Sequence, residues 1–111
     1  VIVQECDTGE VLMLAYMNQP AWEKTLKTKK ATYLSRTRKK LWIKGEKSGN
    51  IQKIKNIYVD CDQDTILIQI EQVGNAACHK GYKSCFYRDI GGNVVSKKIF
   101  NPEEKYGKIE K

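Results

Sequence analysis

Residues 51–73, IQKIKNIYVDCDQDTILIQIEQV, decide the fold. Two runs rich in β-branched residues, 51–60 and 65–73, flank a short acidic break. In the second run Ile66, Ile68 and Ile70 alternate against Leu67, Gln69 and Glu71, the period-two pattern of a strand with one face buried. The two runs are expected to pair as a hairpin around which a β-rich α+β domain assembles.

Upstream of the hairpin, residues 31–37 and 41–44 read as two strands joined by Arg38-Lys39-Lys40, followed by the polar loop 45–50. Before them, Asn18 is a good helix cap and Pro20 fits a first turn, so a short helix is expected over residues 19–28. Residues 1–3 and 11–17 suggest an opening hairpin around Asp7-Thr8-Gly9-Glu10. Downstream, 74–83 is a loop, 84–88 a short strand, and Gly91-Gly92-Asn93 a turn into a strand over 94–100. The polar residues 101–111 read as a flexible tail or a helix that needs a partner. The expectation is one domain over 1–111: a small open-barrel-like or mixed sheet with one or two short helices.

Only 41% of the 111 residues are hydrophobic, a thin core that a subunit interface or a bound metal would reinforce. The longest apolar run, 11–17, is too short for a membrane span or a secretory signal, and a cytoplasmic protein is expected. The chain opens on Val1, and a few residues are expected to precede it. The net charge of +7 suits nucleic acid, an anionic membrane or a phosphorylated small molecule. Arg36, Arg38 and Arg88 are the only arginines among twenty basic residues. Their planar forks grip phosphate with two bonds, which a lysine cannot do.

The acidic break opens a window, 60–85, that holds Cys61, Cys78, Cys85, the only histidine, His79, and the carboxylates Asp60, Asp62 and Asp64. Four cysteines allow two disulfides in an exported protein or metal ligation in a reducing cytosol, and the polar surroundings of Cys61 and Cys85 favour metal. Three dispersed thiolates supply three zinc ligands and leave a position open, as catalytic zinc requires. They also give the site a formal charge of −1, so a nearby base or a cationic substrate is needed, and His79 is the candidate for the base. Cys6, outside any motif, is expected to be a small buried core residue.

The D-x-D-x-D spacing fails as an EF-hand, because Thr65 stands where that loop needs glycine and strands flank it instead of helices. In a continuous strand the three aspartates share one face and Cys61 points to the other. With a turn at Asp62-Gln63 the carboxylates converge at the hairpin tip. The segment then either binds a hard cation or is an Asx-rich turn that binds nothing.

A second polar segment joins Ser35-Arg36-Thr37-Arg38 to Trp42-Ile43-Lys44-Gly45-Glu46-Lys47-Ser48-Gly49-Asn50. Arg and Lys heads beside small, amide-rich loop residues suit phosphate oxygens, although the order required of a Walker loop is absent. Taken alone, it is also compatible with a basic hairpin around a buried Trp42.

Together these motifs resemble the phosphoribosyl-AMP cyclohydrolase family of histidine biosynthesis. The resemblance runs through residues 8–18, Ser35 to Arg38, Trp42 to Asn50 with Gln52, Asp60 to Asp64, Ala77-Cys78-His79, and Ser84-Cys85-Phe86-Tyr87-Arg88. It implies an intertwined homodimer of the stand-alone form. One zinc per subunit would be held by Cys61, Cys78 and Cys85 from both chains, with magnesium at Asp60, Asp62 and Asp64. The implied reaction is hydrolytic opening of the N1–C6 bond of 1-(5-phosphoribosyl)-AMP. Arg36, Arg38, Trp42, Lys44, Ser48, Gly49 and Asn50 would contact this substrate and His79 would move protons. Lys47 and Lys80 stand where threonine is more usual, and Gln63 where glycine is common. The competing expectation is a zinc-stabilised basic β module that binds nucleic acid without catalysis, whose affinity would fall steeply with salt.

Overall fold

The computed structural model of the chain describes residues 1–78 and 80–99, without the side chain of Asn75. His79, Phe100 and the expected tail 101–111 lie outside the described residues. The expected hairpin is present: β5, Gln52–Val59, pairs antiparallel with β6, Ile66–Gln72, with Ile57 opposite Ile68, Ile54 opposite Ile70 and a bulge between Ile54 and Asn56. Alternation along β6 buries Ile68 and Ile70 completely and extends the inward face to Gln72.

β1, Ile2–Glu5, lies parallel to β6 with Val3 beside Ile68, and β2, Val11–Leu14, pairs antiparallel with β1. The result is a mixed open sheet in the order β2-β1-β6-β5. Val3, Leu12, Met13, Ile68 and Ile70 form its packed face. The single α-helix among the described residues, α1, spans Gln19–Thr28 as its caps predict. Asn18 accepts the Ala21 N–H through its side chain at 3.0 Å, and Lys29 ends the helix at φ 59°. Buried Thr25 fastens α1 to the next strand, its hydroxyl accepting the Thr32 N–H at 3.0 Å.

β3, Thr32–Ser35, and β4, Lys40–Ile43, form a separate antiparallel ribbon. Its base bonds to β5, with the Ala31 N–H donating to Gln52 and the Ile54 N–H to Lys29. Its other side bonds to the segment after β2, with the Leu34 N–H donating to Tyr16. The ribbon therefore bridges the two outer edges of the open sheet.

Beyond β6, among the described residues, the strands expected over 84–88 and 94–100 are replaced by irregular chain as far as residue 99. A 3-10 turn spans Val73–Asn75, and the remaining pairing described is isolated, Tyr82 with Lys98 and Arg88 with Val94. At the first of these places a side chain takes over the ladder. The Ser84 hydroxyl donates to the Val11 and Leu12 carbonyls at 2.8 and 3.1 Å, and the Phe86 N–H turns back onto it. Stacked rings hold the segment, Tyr82 over Tyr87 with centroids 3.7 Å apart. Cys6 is not the core residue expected. It leaves the end of β1 at a turn, half exposed, with its thiol 3.6 Å from the Asp7 carboxylate.

Candidate functional site

The turn alternative holds at the hairpin tip. Gln63 adopts φ 62°, a left-handed conformation that costs a side-chain residue energy and suits glycine better. The turn brings one carboxylate oxygen of each of Asp60, Asp62 and Asp64 within 4.8 Å of the others, all exposed. Asp60 organises it, accepting the Asp64 and Thr65 N–H groups at 3.0 and 3.1 Å. Desolvation pushes Asp60 up, but its hydrogen bonds with Asp62, Thr65 and Asp64 outweigh that and hold it below the usual carboxylate range. Asp64 is pushed up, chiefly by its hydrogen bond with Asp60. Asp60 and Asp64 are thus pushed in opposite directions, as coupled like charges are, and the triplet could hold a hard cation.

Cys61 shares this tip and is exposed. Cys78 and Cys85 lie elsewhere, on a loop closed by Ala77 N–H to Lys83, Cys78 N–H to Tyr82 and Gly81 N–H to Cys78. The loop is moored to β2, where the Cys85 N–H donates to Leu12 at 2.7 Å, and to the β1–β2 end, where Lys83 pairs with Glu5 at 3.0 Å and Glu10 at 3.1 Å. These ties set the two thiols against each other. The hydrogen bond with Cys78, then burial, drives the Cys85 thiol far above its ordinary value, while Lys44 pulls it back. Buried Tyr33 is also pushed up, by burial first and then by the nearby Cys85. Within one chain Cys61 does not join this pair, since among the described residues the acidic triplet alone forms a group of three such ligands.

Between the end of β2 and the ribbon runs a shallow groove of about 310 Å³. Tyr16, Arg36, Arg38 and Trp42 line it. The Arg36 guanidinium lies over the Tyr16 ring, 3.9 Å from its centre, at the groove wall. The Arg38 backbone and Nε both donate to the Ser35 hydroxyl. Trp42 packs on Tyr33 at 5.2 Å, so the groove ends beside the residue that borders Cys85.

The other expected contacts are placed differently. Ser48 caps its own loop, its hydroxyl accepting the Asn50 N–H at 3.1 Å, and Gly49 is exposed with open space about its Cα. Asn50 is only 3% exposed and faces inward against Gly74, where a Cβ would stand 2.1 Å from Asn50 Oδ1. Lys44 turns inward as well, its ammonium donating to the Ala77 carbonyl.

The sequence reading missed Tyr16 as a wall of the groove and a buried polar chain behind it. Tyr33 donates to Gln52 Oε1, Gln52 Nε2 donates to Gln72 Oε1 at 2.8 Å, and Gln72 Nε2 donates to the Asn50 carbonyl at 2.8 Å. The signal for Gln72 was present in its position, two residues beyond Ile70 on the inward face of β6.

The donor sets are chemically distinct: hard exposed carboxylates at the tip, and two close thiols beside a cation-lined groove. Comparison with known proteins points the same way. The model of the family described as phosphoribosyl-AMP cyclohydrolase matches residues 13–87. A protein of that name from Desulfatibacillum aliphaticivorans is 56% identical over 110 residues, spanning 96% of this chain and 88% of the relative. Proteins so named from Methanothrix thermoacetophila and Methanosarcina mazei are 59% and 56% identical over 105 residues. Those matches span 95% of this chain and 86% and 87% of the relatives.

Proposed function

The chain belongs to the phosphoribosyl-AMP cyclohydrolase family, and from that premise we infer that it hydrolyses 1-(5-phosphoribosyl)-AMP, opening the N1–C6 bond in the third step of histidine biosynthesis. The phosphoribosyl group on N1 leaves the ring electron-poor at C6. Water adds there, N1–C6 breaks, and an imidazole carboxamide forms without loss of ammonia, in contrast to deamination at the same carbon.

The donor chemistry fits two metals. Cys61, Cys78 and Cys85 would hold zinc, and Asp60, Asp62 and Asp64 would hold magnesium. Bound zinc would supply Lewis-acid activation of water at neutral pH. The separation of Cys61 from the Cys78–Cys85 pair within one chain supports a site shared across a homodimer, with Cys61 from one copy and the pair from the other. Three thiols kept reduced suit the cytoplasm. No helix among the described residues is long and apolar enough to cross a membrane.

The roles of the remaining residues follow from chemistry and place. Arg36, over the Tyr16 ring, and Arg38 bind the substrate's phosphates at the groove's basic wall. Trp42 offers a ring face to the base, while Ser48 and Gly49 border the outer loop and Asn50 holds that loop from inside. His79, next in sequence to Cys78, accepts and returns the reaction's protons. A nucleic-acid-binding module is disfavoured by the exposed acidic triplet, which repels a phosphate backbone.

The observation that carries the reading is the close thiol pair beside an arginine-lined groove. The test is a spectroscopic assay of ring opening by metal-replete protein, with and without chelator. Turnover that chelation abolishes and zinc restores is expected, and no turnover by the metal-replete protein refutes the reading. In the same assay His79→Ala should retain zinc while kcat falls ~10²-fold or more.

A further inference from the structure

Lys44 is the one expected phosphate contact whose charged end points away from solvent into the thiol loop. It follows β4 and is half-buried. Its Nζ donates to the carbonyl of Ala77, the residue before Cys78, and lies 5.7 Å from the centre of the Trp42 ring. Cys85 and Cys78 are the thiols whose charge it would feel. A buried cation persists only where opposite charge or hydrogen bonding compensates it, and here both lie on the same loop.

The thiols have the complementary need. Two thiolates held this close repel each other, and three around one zinc ion leave a net negative charge. Backbone N–H groups commonly offset such charge. Here those of Cys78, Gly81, Cys85 and Phe86 are all committed to oxygen acceptors: Tyr82, Cys78 and Leu12 carbonyls and the Ser84 hydroxyl. An ammonium tied to the neighbouring carbonyl is placed to do that work.

We propose that Lys44 is a positioning residue of the zinc half-site, offsetting the charge of the Cys78–Cys85 pair and fixing the loop that carries Cys78, and that it is not a phosphate contact. This rests on Cys78 and Cys85 being zinc ligands, and the test separates the two claims. Zinc affinity is measured by competition with a chromophoric chelator on the full chain, for wild type, Lys44→Met, Lys44→Arg and Cys78→Ser. Met keeps the aliphatic stem and loses the charge, whereas Arg keeps the charge.

Lys44→Met should bind zinc ~10–100-fold more weakly, the range for losing an outer-shell partner. Lys44→Arg should recover most of that affinity, and a merely structural role predicts no such charge-specific rescue. In steady-state assays Lys44→Met at saturating zinc should lower kcat with KM nearly unchanged, whereas a lost phosphate contact raises KM. With cobalt in place of zinc, its sulfur-to-metal charge-transfer band should shift in Lys44→Met and return in Lys44→Arg. Wild-type affinity in Lys44→Met, or a rise in KM alone, overturns the proposal. Undiminished zinc in Cys78→Ser instead overturns the thiolate reading beneath it. If Lys44→Met does not fold, Lys44→Gln takes its place with the same expected loss.

Discussion

Gln52→Leu is the sharpest test of how the groove is held from behind. Gln52 is fully buried and sits in the middle of a hydrogen-bonded chain, accepting from Tyr33 and donating to Gln72 Oε1 at 2.8 Å and more weakly to Met13 Sδ. Leucine nearly preserves the volume, so the cavity contribution is small. It orphans two buried groups, the Tyr33 hydroxyl and Gln72 Oε1. Each costs roughly 1–3 kcal/mol when left without a partner, about 2–6 kcal/mol together. Burying the leucine methyls returns about 1–2 kcal/mol. At the centre of those ranges the net loss is about 2.5 kcal/mol, a large part of the roughly 5–15 kcal/mol that a domain has.

The assay is urea unfolding at fixed protein and zinc concentrations, because bound metal or a second copy shifts apparent stability. Tyr33→Phe supplies the internal check. Tyr33→Phe alone orphans Gln52 Oε1 and Gln52→Leu alone orphans the Tyr33 hydroxyl, but the double variant contains neither group, so it should lose at least about 2 kcal/mol less than the sum of the singles. A single-variant loss below about 0.5 kcal/mol, or strict additivity, would refute the claim that these side chains satisfy one another.

Three further outcomes follow from particular contacts. Gly74→Ala should destabilise by about 1–2 kcal/mol from its left-handed backbone alone, and more because φ is 82° and the new Cβ meets Asn50 Oδ1; thermal unfolding measures it, and a neutral result refutes the close packing. Arg36→Ala should raise KM ~10-fold with kcat little changed, and Arg36→Lys should restore only part, because an ammonium keeps the charge but loses the planar fork on Tyr16. Asp89 is held below the usual carboxylate range by the Asn93 backbone and side-chain N–H groups, at 2.9 and 3.2 Å. A depressed folded pKa means that its contribution is present above the unfolded value near ~3.9 and fades as pH falls through the folded one. The acid limb of a stability-against-pH curve should therefore be shallower in Asp89→Ala, and an unchanged limb would contradict the sign.

The fold was legible wherever local chemistry and periodicity agreed. The isoleucine alternation of β6, the Asn18 cap and Pro20 at the start of α1 each act within a few residues, and each element appears where its pattern places it. Legibility failed where a side chain replaced the backbone ladder. Nothing in residues 84–88 signals that the Ser84 hydroxyl takes the Val11 and Leu12 carbonyls, because that bond depends on a partner more than seventy positions away. Cys6 misled for a related reason: a cysteine is apolar by composition, but the turn that follows β1 turns it outward.

The candidate site divides along the same line. Ligand type and spacing mark Asp60, Asp62 and Asp64 as a hard set, and the turn at Gln63 that gathers them is local enough to be foreseen. The partition of the thiols is not local. Cys61 is carried by the β5–β6 tip, while Cys78 and Cys85 are set against each other by ties to Leu12, Tyr82 and Lys83. A basic residue in a polar, glycine-rich segment reads as a phosphate ligand because sequence gives its charge without its direction. For Arg36 direction and charge agree, since the guanidinium lies on a groove wall. For Lys44 they disagree, because its hydrogen bond to Ala77 turns the same kind of charge toward sulfur. In a chain with seventeen lysines the informative one is therefore distinguished by burial. Its burial fits the proposal that the groups it faces become anionic, as zinc binding would ask of Cys78 and Cys85.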